Sequence, residues 1–250
     1  MTAAIRVEAI KLTRSLVGVT ATLAIVLGMV AVLGGITAGV AGGNTELIAQ
    51  AGPAAVLDWH GLLAGASQIT AVAGILGFGI VLAWMFGREF ADGTISGLFA
   101  LPVSRGRIAL AKLVVYIVWA TAVSIALVLG VLAVGLVAGY GPPGDGTWAA
   151  LGRLGALGAL SSGIAIPVAW IATVTRSLLA AVGSTIALVV VAQVGALAGA
   201  GGWMPLAAPA LWAMSEGEAV TAPQLAVAGI IAVASAALTC AAWRRLQLDR

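Results

Sequence analysis

The chain has 250 residues, of which 62% are hydrophobic and only 8% charged, with 12 Lys and Arg against 9 Asp and Glu. A water-soluble domain carries about 25% charge. A third of that cannot cover a surface in water, so a soluble enzyme or soluble binding module is excluded and most of the surface must meet lipid.

Six stretches carry no Lys, Arg, Asp or Glu: 15–45, 59–87, 113–144, 154–175, 177–215 and 219–243. Each exceeds the roughly 18–20 residues that cross a hydrocarbon core of about 30 Å. Their Leu, Ala, Val and Ile run on without the alternation of a β-barrel, which predicts helices. In chain order, residues 1–14 form a charged N-terminal segment on which Ile5, Ala9 and Leu12 share one helical face, while Val7 and Ile10 fall among charges. The first span covers about 15–40. It is longer than the apolar core of a signal peptide and lacks a clear cleavage site, so it reads as retained. Gly35, Gly39 and Gly43 repeat at four-residue spacing there, as do Gly195 and Gly199 later. Such spacing lets helices approach closely, within one chain or across a dimer seam.

The loop 41–65 follows, and its stretch LDWHGLLAG is expected to lie along the surface before a second span at 66–87. His60 is the one histidine. A single His beside Asp58 cannot complete a metal site, so an interfacial polar residue is expected and no metal. A third span is predicted at 108–138, a turn GYGPPGDGTW at 139–148, and a fourth span at 149–174. The run 177–215 is 39 residues long, which as one helix would measure about 58 Å. Gly199, Gly201, Gly202, Pro205 and Pro209 break it, leaving a fifth span at 178–198 and a short re-entrant or interfacial piece from Trp203 to Ser215. The sixth span is 223–243. Cys240, the one cysteine, cannot form a disulfide within the chain.

Charge assigns the sides. With six spans both termini share a side, and that side collects Arg6, Lys11, Arg14, Arg88, Arg105, Arg107, Lys112, Arg176, Arg244, Arg245 and Arg250, leaving only Arg153 of the 12 basic residues opposite. The excess of Lys and Arg marks the terminal side as cytoplasmic. The basic tail from Arg244 to Arg250 reads as a headgroup anchor, and nothing points to nucleic acid.

The stretch REFADGTISGLFALPVSRGR, residues 88–107, interrupts this greasy chain with charge. Ile95, Leu98 and Phe99 share one face of a short helix, Asp92-Gly93-Thr94 offers a turn and cap, Pro102 stops it, and Ser104 is a candidate cap for the third span. The apolar face is either a docking site or covered by the protein's own helices.

The string E-F-x-D-G-T-I-x-x-L-F-A-L-P-V-S-R-x-x-I-x-x-x-K, Glu89 through Lys112, resembles the signature of ABC-2 type permeases, the membrane subunits of a group of ATP-binding cassette exporters. The opening VEAIKLTRS resembles that family's interfacial N-terminal helix. The likeness covers essentially the whole chain, 1–250, as a single transmembrane domain. It implies an all-α membrane protein of six spans in the plasma membrane, with a cytoplasmic coupling helix between spans 2 and 3 and short outer helices between spans 5 and 6. Coupling to the ATPase subunit would then rest on Glu89, Asp92, Gly93, Thr94, Ile95, Leu98, Phe99, Pro102, Arg105 and Lys112. Replacing Glu89 or Phe99 is expected to uncouple transport while leaving folding intact. The partners implied are two copies of a separate ATP-binding subunit, a second permease subunit, identical or paralogous, and lipid.

The chain has no G-x-x-x-x-G-K-[ST] loop, so ATP and Mg are expected on the partner and no catalytic residue in this chain. Lys112 and Arg153 sit at span ends, where they are expected to snorkel, and no buried carboxylate chain of a proton relay is expected. Gln68, Ser124 and Gln193 are possible pathway residues, although an interhelical hydrogen bond is the plainer role for each. An apolar cavity would suit amphipathic or lipophilic cargo. A non-transporting scaffold that tethers a cytosolic ATPase is the rival reading, and ATP-dependent vesicle uptake separates the two.

Overall fold

In lipid every backbone N–H and C=O must find a partner within its own segment, so apolar runs of this length close into helices. The computed structural model describes residues 2–99 and 102–247, with Phe99 described in its backbone alone. Among these residues the elements are α1 (Thr2–Thr13), α2 (Leu16–Ala41), α3 (Thr45–Ala51), α4 (Trp59–Ile69), α5 (Ile75–Ala91), α6 (Ile95–Phe99), α7 (Arg105–Val137), α8 (Asp145–Ala165), α9 (Pro167–Thr175), α10 (Leu178–Leu197), α11 (Ala208–Met214) and α12 (Ala222–Arg245). Six helical stretches are long and apolar enough to cross a membrane: α2, α4–α5, α7, α8–α9, α10 and α12.

Several boundaries differ from the sequence expectation. The LDWHGLLAG stretch does not lie along the surface. Asp58 caps α4 by accepting from the Gly61 N–H at 2.8 Å, and α4 runs through a π turn at Thr70–Gly74 into α5 as one span from Trp59 to Ala91. Pro167, which has no N–H to donate, divides the fourth span into α8 and α9. The glycine runs do not form continuous helical seams. Gly43 and Gly199 lie beyond the ends of α2 and α10, at φ 75° and 74°. Gly39 meets Leu47 of α3, and a Cβ at Gly35 would meet nothing within 4 Å. The break after α10 falls as expected. A 3₁₀ turn, Gly201–Trp203, and α11 follow it, and both are too short to span.

Lipid tails are as apolar as leucine, so close packing and interhelical hydrogen bonds hold the bundle together. Gly79 and Gly87 bring α5 against Thr185 and Leu178 of α10, and Gly158 brings α8 against Ser124 of α7. The Tyr116 hydroxyl donates to the Ser162 carbonyl at 2.8 Å, Trp119 Nε1 to Thr22 Oγ1 at 2.9 Å, and Trp243 Nε1 to Thr173 Oγ1 at 3.0 Å. Two apolar cores result. One, around Phe78, Phe86, Tyr116 and Trp243, lies at the end that holds both termini. The other, around Leu33, Leu62, Leu127 and Leu154, lies toward the opposite end.

Candidate functional site

The helix pattern brings four charged side chains from three elements together at the terminal end. Glu8 and Lys11 are three residues apart on α1 and therefore neighbours on its surface. Glu89 lies in the last turn of α5, and Lys112 in the third turn of α7. Lys112 Nζ donates to Glu8 Oε2 at 2.8 Å, to Glu89 Oε1 at 2.8 Å and to the Met85 carbonyl at 3.1 Å, which uses all three ammonium protons. Lys11 Nζ reaches Glu89 Oε1 at 3.0 Å and Glu8 Oε1 at 3.2 Å. Thr94 Oγ1 donates to Glu89 Oε2. The cluster is neutral, two carboxylates against two ammoniums. Lys112 and Glu89 are each 1% exposed and Glu8 is 4% exposed.

One sequence expectation is overturned here. Lys112 does not snorkel. Its protons are all taken inside the protein, where an unpaired ammonium would be costly to hold. Glu8 and Glu89 are also both enclosed. They form a structural cluster on three elements rather than a chain along a pathway. Sequence reasoning missed Glu8 as a site residue. Its signal was the four-residue spacing to Leu12, which places both on the face of α1 that turns inward.

The cluster sits directly behind the 92–104 loop. Gly93 adopts φ 66°, a left-handed turn that a side chain would strain. That turn returns the chain so that Thr94 faces Glu89 and opens α6. Ile95 is buried in the terminal-end core and Leu98 packs against it, so much of the predicted apolar face is covered by the protein's own helices. Ser96 and Gly97 point outward and are exposed, as are Asp92 and Pro102. The Phe99 side chain lies outside the described residues. Arg88 stands over the Trp84 ring at 4.6 Å and reaches Asp92 at 3.5 Å. Ser104 occupies the cap position of α7 without a side-chain hydrogen bond. The Arg105 guanidinium donates to the Leu246 carbonyl, and Arg176 to that of Gln247 at 3.0 Å, which ties the start of the C-terminal tail to the same end.

The three pathway candidates are not brought together. Gln68 lines a cavity at the opposite end. The buried Ser124 hydroxyl donates within its own helix to the Ala120 carbonyl at 2.9 Å, and Gln193 is exposed on α10.

Burial works against charge on Lys11, but the Glu8 and Glu89 carboxylates outweigh it and hold the ammonium above the ordinary lysine value of 10.5. A folded-state value above the unfolded one stabilises fully below the unfolded value and is lost as pH rises through the folded one. Lys11→Met is therefore expected to cost about 1–3 kcal/mol at neutral pH, the contribution of hydrogen bonds to charged groups. The gap between variant and parent should close above pH 10.5. Denaturant titrations of both proteins across that range measure it, and a gap independent of pH contradicts the assignment.

A family described as ABC-2 family transporter protein matches residues 4–193, a segment that holds the whole cluster and the loop. Over 51 residues the chain is also 33% identical to the bacitracin transport permease protein of Bacillus licheniformis. That stretch covers 20% of this chain and 24% of the relative, so it speaks for a segment and not for the relative's whole activity. Taken with six spanning helices and a charged loop between the second and third, the match over most of the chain shows that it belongs to the ABC-2 family of membrane transporter permeases, whose ATP-binding site resides on a separate subunit.

Proposed function

We propose that this chain is the permease subunit of an ATP-binding cassette exporter in the plasma membrane, with both termini cytoplasmic. Two copies of an ATP-binding subunit, holding ATP and Mg, and a second permease, identical or paralogous, complete the complex. Its cargo is amphipathic or lipophilic. The observation that carries this reading is the attachment of α6 to the buried cluster. Thr94 opens α6 and bonds Glu89, and Glu89 bonds Lys112 of α7 and Lys11 of α1. A push on α6 cannot be absorbed by that loop alone, because separating the charges would leave one of them buried and unpaired. α1, α5 and α7 therefore move with it, as a switch between discrete packings requires.

Contact with the ATPase is made by the outward residues of α6, while Ile95 and Leu98 hold it to the body. Gly97 tests this, because a Cβ there meets nothing within 4 Å. Gly97→Trp is expected to leave the melting temperature unchanged and to abolish co-purification with the ATP-binding subunit. Full assembly with unaltered ATPase activity in this variant would refute the docking role. Assembly without any ATP-driven transport by the parent complex would favour a tethering scaffold instead.

A further inference from the structure

At the end opposite the termini, α4, the start of α8 and the end of α11 line an open cavity of about 690 Å³. That is the size of a small-ligand site. Its walls are mixed: Trp59, Leu63 and Met214 are apolar, and His60, Gln68 and Arg153 are polar. Arg153 is the one basic residue at this end among the described residues, and its pairing there is poor. Its Nε is buried with no hydrogen-bond partner among the described residues, and its Nη2 approaches Glu216 Oε2 only at 3.7 Å. A buried unpaired donor is costly and calls for an explanation.

The surrounding charges sharpen the reading. Asp58 also lines the cavity, but its carboxylate is engaged with the Gly61 N–H at the start of α4. The Glu216 side chain is 64% exposed, on a left-handed turn at φ 57°, and so is well solvated. The Arg153 side chain is only 22% exposed. It is therefore less solvated than Glu216, and its attraction for a negative group is less screened. Gly146 and Thr147, in the first turn of α8, also line the cavity. That helix starts at Gly144 without a side-chain cap, and Asp145 already places a carboxylate in its first turn. A poorly paired guanidinium thus lines this space of mixed walls, and it favours a negative group.

We propose that this cavity binds an amphiphile with a single anionic head, phosphate or carboxylate. The head pairs with Arg153, and the chain lies against Trp59, Leu63 and Met214. As the cargo site of the proposed exporter, it rests on the transport reading, and it narrows the cargo to anionic amphiphiles.

The full chain in phosphatidylcholine nanodiscs, titrated with radiolabelled dodecyl phosphate and corrected with empty discs, tests it. Saturable binding is expected, at least about tenfold tighter than dodecyltrimethylammonium, as one charge-assisted contact provides. Arg153→Gln should erase that preference and Arg153→Lys should keep part of it. Ala149→Trp, which fills the cavity from an exposed position, should weaken both ligands. Equal affinity for the two head groups, or a preference that survives Arg153→Gln, overturns the site. If Arg153→Gln fails to fold, the Ala149→Trp result decides alone, and unchanged binding in it overturns the site. Displacement of the label by phosphatidylglycerol in the disc identifies a lipid headgroup as the source. Lack of displacement identifies a free amphiphile, and either result upholds the site. Retained binding without ATP-driven transport by the complex removes the transport reading alone, whereas transport without this binding removes the site alone.

Discussion

Glu89→Gln is expected to lower the stability of the chain by about 3–5 kcal/mol and to abolish ATP-driven transport. The substitution removes one of the two carboxylates that neutralise Lys11 and Lys112, and Lys112 lies where water cannot replace it. Lys112→Met should cost a similar amount for the opposite reason, since Glu8 and Glu89 would then share only Lys11. The double variant, Glu89→Gln with Lys112→Met, returns the cluster to neutrality as a Glu8–Lys11 pair. Its loss of stability should therefore be smaller than the sum of the single losses by about 0.5–3 kcal/mol, the range of coupling between groups in contact. Transport should stay lost in the double variant, because the ion pair that ties α5 to α7 is gone. Equilibrium unfolding in mixed micelles gives the first quantity, and cargo movement in proteoliposomes the second. Additive losses would mean the charges do not act as a unit. This outcome also replaces the expectation, drawn from the sequence, that Glu89 could be changed without touching the fold.

Closing α5 onto α10 is the second place where one atom decides much. A Cβ on Gly79 would stand 2.3 Å from Thr185 Cγ2 and 2.8 Å from its Oγ1. Thr185 is fully buried and its hydroxyl bonds the Ala181 carbonyl at 3.1 Å, so it cannot swing aside without losing that bond. Gly79→Ala is expected to cost about 1–3 kcal/mol by overpacking, and Gly79→Leu more. Thr185→Ala removes both offending atoms and leaves only its Cβ, 3.1 Å away. The pair Gly79→Ala with Thr185→Ala should accordingly recover most of the loss. Thermal unfolding of the four proteins reads this directly, and a failure of the second change to rescue the first would place the strain elsewhere.

How far the sequence could be read follows from the range of the forces involved. Lipid solvates every apolar residue in much the same way, so uninterrupted hydrophobic length alone dictated six helices. The breakers Gly199, Pro205 and Pro209 were enough to locate the end of the fifth span, because they act on the backbone within a residue or two. The loop from Glu89 to Lys112 carried its family likeness in consecutive residues, and the family match confirmed the likeness without needing any three-dimensional contact.

What remained hidden depended on contacts between distant residues. Nothing local distinguishes a lysine that snorkels from one enclosed by two carboxylates, and only the crossing of α1, α5 and α7 set Glu8 beside Lys112, 104 positions apart. The same limit concealed the far cavity, since His60, Gln68 and Arg153 are unremarkable until α4 and α8 stand side by side. The glycine spacing likewise did not show which members pack, since Gly39 meets Leu47 while Gly43 and Gly199 sit in turns. Helix formation is a property of each segment, and the sequence alone determined it. Which polar groups share a buried space is a property of how segments pack, and only the tertiary structure decided it, because pairing a buried charge depends on a partner that another helix must supply.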